Sequence, residues 1–243
     1  MLETLVALGF GHLVADFLLQ PDRLMAAKRA PARRTGALLV HSAIVAVATA
    51  AALGFAPVPA LVGVVAGSHL VIDRAKLAWG GRGFAGFAAD QAAHAAVIWL
   101  GATLWPGAYG AGLWGLPAIA PSLGVLPEAM ALAGGGIAAV VAGGYAVQAI
   151  TGDFAIEDPA SLAAAGRLIG RLERALILLF VLVGQPDGIG FLIAAKSLLR
   201  FGEMAREHDR RVSEYVIIGT LASFGWGLGA AFGTQAILAA LGH

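Results

Sequence analysis

Cysteine is absent from this chain and charge is scarce, with 13% of its 243 residues being Asp, Glu, Lys or Arg. Without cysteine there is no disulfide, no thiolate metal ligand and no cysteine nucleophile. Soluble domains carry about 25% charged residues. Half that value, with 59% hydrophobic residues and a mean hydropathy of +0.81, points instead to an integral membrane protein. No stretch is left over for a sizeable soluble domain, and no close internal repeat is visible. A net charge of +1 gives no case for nucleic acid as a partner. The first residues lack the basic leader and small-residue cleavage site of a signal peptide, so the first apolar stretch is expected to stay as a helix.

What is present is apolar segments about the length of a bilayer crossing. The sequence predicts an all-α polytopic membrane bundle of about eight transmembrane helices. They cover about Leu2–Leu19, Ala37–Phe55, Ala60–Trp79, Phe84–Trp105, Glu128–Ile150, Leu168–Gly184, Gly188–Phe201 and Glu214–Leu241. The seventh is short, and seven spans remain if 188–201 is re-entrant. Proline and glycine fill the connector Pro106–Pro127, where a short interfacial helix is expected around Trp114. This divides the chain into a four-helix unit (1–105), a connector (106–127) and a second membrane unit (128–243).

Basic residues alternate from side to side. Arg23, Lys28, Arg29, Arg33 and Arg34 fill the first loop, and Arg74, Lys76 and Arg82 follow the third span. Arg167, Arg171 and Arg174 open the sixth span, and Lys196, Arg200, Arg206, Arg210 and Arg211 surround the last loop. Connectors 56–59, 106–127 and 185–187 contain no Lys or Arg. By the positive-inside rule the basic loops are cytoplasmic and both termini periplasmic. Trp105, Tyr109 and Trp114 are then expected in the outer aromatic belt, and Trp79 and Tyr215 in the inner one.

Within these apolar segments lie three His/Asp pairs spaced i,i+4: His12 with Asp16, His69 with Asp73, and Asp90 with His94. That spacing places both side chains on one helix face. Ionisable groups at membrane depth are costly unless paired, ligated or functional. A rise of about 1.5 Å per residue puts Asp16, Asp73, Asp90 and His41 roughly 6–9 Å below the cytoplasmic surface. His12, His69 and His94 lie roughly 13–15 Å deep. Four helices thus present ionisable groups in two matched layers.

Imidazole and carboxylate together suit divalent zinc or manganese. Four His and three Asp suffice for a pair of metals that activates water and clamps a phosphate. The plainer reading, helix-packing hydrogen bonds, is natural for one pair and strained for three plus His41. Some of the three Asp are expected to orient a histidine rather than ligate. Gln20, Lys76 and Gln91 are candidate substrate contacts nearby, whereas Lys28 reads as an ordinary snorkelling side chain.

The segments His12–Gln20, His41-Ser42, Ser68–Lys76 and Asp90–His94 resemble, in residue type and order, the signature of the bacterial membrane-protein family called domain of unknown function 3307. The resemblance covers about residues 3–100 and implies a bacterial inner-membrane location but no established reaction. The C-terminal half resembles the extension of longer members. The pattern of intramembrane His and Asp is more weakly similar to membrane-bound metal-dependent hydrolases.

Arg171 and Arg174, with Lys196 and Arg200, form a second polar set placed further into their spans than the flanking arginines. They suggest a cradle for phosphate or an anionic lipid headgroup, against the plainer reading of positive-inside flanking. Gly225, Gly229 and Gly233 permit close helix contact within the monomer or in a homo-oligomer.

Three functions fit. The first is a metal-dependent hydrolase or phosphotransferase acting on a lipid-linked or phosphorylated substrate from the cytoplasmic leaflet, with Asp16, Asp73 or Asp90 as ligand or base. The second is a divalent-cation or proton-coupled transporter using the same cluster. The third is a scaffold whose polar pairs only fix packing. The outer half of the first four spans is nearly all Ala, Val, Leu and Gly, which favours a pocket open to one side and hence the enzyme.

Overall fold

The computed structural model describes residues 1–79, 83–152, 160–204 and 210–242, with the side chains of 160–165, 199–204 and 210–213 left aside. The loop acids Asp153, Glu157 and Asp158, with Arg82, Arg206, His208 and His243, lie outside the described residues. Among the described residues the chain is all helix, without strands. Contacts divide it into one unit of Met1–Gly134 with Ala240–His243 and another of Gly135–Ala239, so connector 106–127 belongs to the first unit.

Proline and glycine punctuation sets the helices of the first unit. Helix α1 (Leu2–Phe17) carries Glu3 in its first turn, where the helix dipole favours an anion. Pro21 disfavours helical geometry in the residue before it, so α1 stops short of Pro21. Pro21 itself is extended and caps α2 (Asp22–Arg29), which has Asp22 in its first turn and Lys28 and Arg29 in its last. Pro31 ends α2 through an extended Ala30. The axes of α1 and α2 differ by 80°.

Helix α3 (Arg34–Ala52) ends at Gly54 and Phe55, both with positive φ. A Cβ on Gly54 would run into the Trp114 ring, whose Nε1 donates to Ala51 O at 3.2 Å. Helices α4 (Pro59–Trp79) and α5 (Gly83–Leu104) complete a bundle in which α3 packs on α1, α2 and α4, and α5 packs on α4 and α1. At Gly11 a Cβ would stand 3.1 Å from Ala48 O, so glycine there lets α1 and α3 come close. Leu8, Val45, Leu53, Leu61, Ile98 and Ala102 are buried, whereas Val47, Val71 and Leu104 face outward.

The connector folds back on the bundle. Thr4 Oγ1 donates to Pro106 O at 2.9 Å and accepts from Tyr109 N–H at 3.2 Å. Tyr109 is therefore buried rather than placed in an outer aromatic belt. The expected short helix near Trp114 is a 3-10 turn, Leu113–Gly115, followed by α6 (Ala120–Leu123).

Helix α7 (Leu126–Gly136) runs into a π-helical stretch, Ile137–Ala142, and on into α8 (Gly143–Thr151). In the second unit α9 (Ala160–Leu182) packs on the π-helical stretch and α8, and α10 (Asp187–Met204) packs on α9; the unit ends with α11 (Arg210–Leu241). Ile177, Val181, Phe224 and Ala231 form its core. Wide π turns leave carbonyls off the regular ladder. Arg174 Nε donates to Ala139 O at 2.8 Å, its Nη2 to Val140 O at 2.9 Å, and Trp226 Nε1 to Ala138 O at 2.8 Å. Gly143 makes room for both side chains, since a Cβ there would collide with each. Gly225, Gly229 and Gly233 have open space where a Cβ would stand, so their stripe is exposed on α11.

Three helical stretches are long and apolar enough to cross a membrane: Arg34–Ala52, Ala120–Thr151 and Glu214–Leu241. The bent pair α1–α2 makes a fourth if it counts as one crossing. By length and apolarity the count is thus three or four, not the eight expected from the sequence. The physical reason is plain. Helix α1 alone is 16 residues long, α4 carries Asp73, Arg74 and Lys76, α5 carries Asp90, Gln91 and His94, and α9 and α10 are interrupted by Arg and Lys.

A His/Asp cluster in the first unit

Each of α1, α3, α4 and α5 delivers one histidine to the centre of the first unit. His12, His41, His69 and His94 are all buried, and their rings form a continuous set. Centroid separations are 4.9 Å for His41–His69, 4.2 Å for His69–His94 and 4.9 Å for His12–His94. The convergence follows from one turn of each helix facing inward, with Gly11 letting α1 press against α3 beside His12.

At one end of the set three atoms form a close triangle. Asp16 Oδ1 lies 3.1 Å from His41 Nε2 and 3.2 Å from His69 Nε2, and the two nitrogens are 3.0 Å apart. Hydrogen bonds alone cannot fill these three edges. With Asp16 ionised there are at most two protons, one on each Nε2, and each N–H points along a single edge. A divalent ion held by these three atoms would engage all three lone pairs. Bonds of about 2.0–2.1 Å in a tetrahedral site place ligand atoms about 3.3 Å apart. The observed separations are close to that spacing.

Asp73 Oδ2 approaches the same two nitrogens, at 4.0 Å from His41 and 3.9 Å from His69. It is held there by Lys28 Nζ at 2.5 Å. Lys28 is 5% exposed, so it is a buried partner of the cluster and not the snorkelling side chain expected. Gln20, in the orientation that satisfies both its groups, accepts from Lys28 Nζ at 2.7 Å and donates to Asp16 O at 3.3 Å. The feature that could have revealed Lys28 is the short helix between Pro21 and Pro31, with its cation in the last turn.

At the other end, His94 Nδ1 lies 2.9 Å from its own helix carbonyl, Asp90 O. A carbonyl only accepts, so Nδ1 carries the proton and Nε2 presents a lone pair. That Nε2 is buried with no hydrogen-bond partner among the described residues. His12 Nε2 faces Gln91 Oε1 at 3.4 Å, which leaves His12 Nδ1 toward Asp16 Oδ2, 3.9 Å away. Asp90 turns aside: its Oδ2 takes Lys76 Nζ at 2.7 Å and Gln91 Nε2 at 3.1 Å. Its carboxylate joins none of the three sets of candidate ligands, which are His12/Asp16/His94, Asp16/His41/His69 and His69/Asp73/His94.

A cavity of about 10 Å³ adjoins His12, Ser68, His69 and His94. That is room for roughly one water, not for a headgroup. Another cavity of this unit, about 140 Å³, is lined by residues that include Glu3, Tyr109 and Trp114 and by none of the histidines.

The second polar set lies in the second unit. Arg174 is buried and spends its donors on Ala139 O, Val140 O and Ser223 Oγ. Lys196 pairs with Glu173 at 2.7 Å and sits over the Phe224 ring. Arg171 is exposed, and the Arg200 side chain lies outside the described residues. All three lysines of the chain thus rest on a carboxylate.

A family model described as Protein of unknown function (DUF3307) matches residues 4–107, which bears out the resemblance seen in the sequence. That stretch holds all four clustered histidines and Asp16, Asp73 and Asp90. No curated protein and no solved structure matches the chain, and the similarity to membrane-bound metal-dependent hydrolases finds no support.

Proposed function

We propose that this is a multi-pass protein of the bacterial inner membrane. It holds a divalent ion, zinc or manganese, and hydrolyses or transfers phosphate on a lipid-linked or phosphorylated substrate in the cytoplasmic leaflet. The observation that carries the reading is the triangle of Asp16 Oδ1, His41 Nε2 and His69 Nε2, whose three short contacts two protons cannot satisfy. Three protein ligands with a fourth position open is the pattern of catalytic rather than closed structural zinc sites.

An ion held there would bring the pKa of a water down towards 7 and polarise a phosphoryl oxygen. The chain's own groups supply the rest. Asp73, whose Oδ2 lies 4.0 Å from His41 Nε2 and 3.9 Å from His69 Nε2, is placed to accept a proton. Lys28 holds Asp73, Gln20 holds Lys28, and both would meet an anionic oxygen brought to the triangle. Asp90 fixes the position of Lys76, and Gln91 orients His12.

We further infer that α4, α5, α9 and α10 cross the membrane beside the apolar spans, giving about eight crossings with both termini periplasmic. Their charges are compensated inside the units, as in Lys28–Asp73, Lys76–Asp90 and Lys196–Glu173, and intramembrane charge is tolerated in that form. Strict alternation of loops with and without Lys or Arg supports the orientation.

A second reading, a proton-coupled or cation transporter, draws on the unbroken ring sequence His41–His69–His94–His12. One experiment separates the two. Protein in lipid nanodiscs is assayed for phosphate release from phosphatidic acid and from a polyprenyl phosphate, with and without chelator. The enzyme reading expects chelator-sensitive release that Asp73→Asn abolishes while the variant stays monodisperse. Metal-bound protein without turnover, but with His12-dependent cation uptake into liposomes, would replace it by the transporter.

A further inference from the structure

We infer that the cluster holds two ions rather than one, with Asp16 as the carboxylate bridging them. This rests on the metal reading above and extends it to a second site built from His12 Nδ1, Asp16 Oδ2 and His94 Nε2.

Four observations carry it. The two oxygens of Asp16 face different partners: Oδ1 meets His41 and His69, and Oδ2 faces His12 Nδ1 at 3.9 Å. One donor atom each from His12, Asp16 and His94 lies within 4.8 Å of the others, a separation that contracts onto an ion with bonds of about 2.0–2.2 Å by small side-chain movements. His94, only 3% exposed, aims an Nε2 lone pair that has no partner among the described residues, because its Nδ1 proton is committed to Asp90 O. Leaving such an acceptor buried and bare is unfavourable. The small cavity beside His12, His69 and His94 gives an ion at this place room for a water ligand.

The supporting contacts have the form expected around metal-binding histidines, in which the second ring nitrogen is fixed by a carbonyl or amide oxygen. For His94 that group is Asp90 O, and for His12 it is Gln91 Oε1. Gln91 thereby becomes a positioning residue for His12. The Asp90 carboxylate pairs with Lys76 and stays out of the ligand set. Two ions sharing one carboxylate would be close enough to stabilise both the attacking and the leaving oxygen of a phosphoryl transfer. The substrate class that fits is therefore a phosphate ester or anhydride.

The test is metal stoichiometry of the full chain, purified without a histidine tag, loaded with zinc and freed of excess. Elemental analysis is expected to give two zinc per wild-type chain, one for His94→Gln, one for His41→Gln and fewer than one for Asp16→Asn. One zinc in the wild type overturns the second site and leaves the single-ion reading standing. No zinc in the wild type removes both. Two zinc that persist in a monodisperse His94→Gln variant place the second ion elsewhere and overturn the assignment. Should His94→Gln fail to fold, cobalt-loaded wild type decides: spin-coupled cobalt supports a shared carboxylate, and two uncoupled ions refute it.

Discussion

Replacing Lys28 by methionine removes the cation that holds Asp73 and leaves a carboxylate with little water to turn to. The side chains of the pair are 6% and 14% exposed, with Nζ and Oδ2 at 2.5 Å. Removing one partner of a buried pair costs about 3–5 kcal/mol, because the remaining charge stays uncompensated. Gln20 loses its donor as well. The double variant Lys28→Met/Asp73→Asn removes both charges and is expected to recover most of that loss, roughly 2–3 kcal/mol of it. Unfolding of the metal-free protein in mixed micelles, followed by tryptophan fluorescence, reads these values. With zinc present the single variant should lose less, since an ion beside Asp73 compensates its charge. A loss under about 1 kcal/mol, the level of an exposed pair, would show that Lys28 reaches water and refute the buried pairing.

Arg174→Met should strand the Ala139 and Val140 carbonyls and destabilise the protein by about 3 kcal/mol or more, since bonds to a charged group contribute about 1.5–3 kcal/mol each. Hydrogen exchange should rise over 137–142, and Arg174→Lys should restore little because an ammonium lacks the fork that reaches both carbonyls. Thr4→Val leaves Tyr109 N–H without its acceptor, at a cost of about 1–3 kcal/mol, readable as a lower unfolding midpoint. Gly11→Leu forces α1 off α3 against Ala48 and Thr49. Overpacking of this kind costs about 1–3 kcal/mol, and the shift of His12 and Asp16 should weaken zinc binding measured by competition with a chelator.

The sequence made the helices and the cluster legible for different reasons. Helix ends beside Pro21 and Pro59 fell close to where they were expected, because proline acts locally, whereas α2 was not foreseen, since its charged residues read as a loop. His12, His69, His94 and the aspartates one turn from them stood out because charge in an apolar stretch needs a partner, and i,i+4 spacing names the face. The fate of Lys28 was not legible, since its burial depends on an 80° bend that folds α2 back on the bundle. Nor was the fate of Asp90, whose choice of Lys76 over the other histidines depends on how α4 lies against α5. Arg174 looked like a phosphate contact from its place on α9. Its commitment to the π-helical carbonyls could not be foreseen, because nothing in Ile137–Ala142 announces a widened turn.

Asp16, His41 and His69 are proposed to close on an ion. Zinc-edge X-ray absorption of the loaded protein tests it most directly. The expected spectrum has a nitrogen and oxygen shell at about 2.0–2.1 Å, with outer-shell imidazole scattering that falls in His69→Ala. A shell of oxygen alone without imidazole scattering, or zinc that washes away from the wild type, would contradict it.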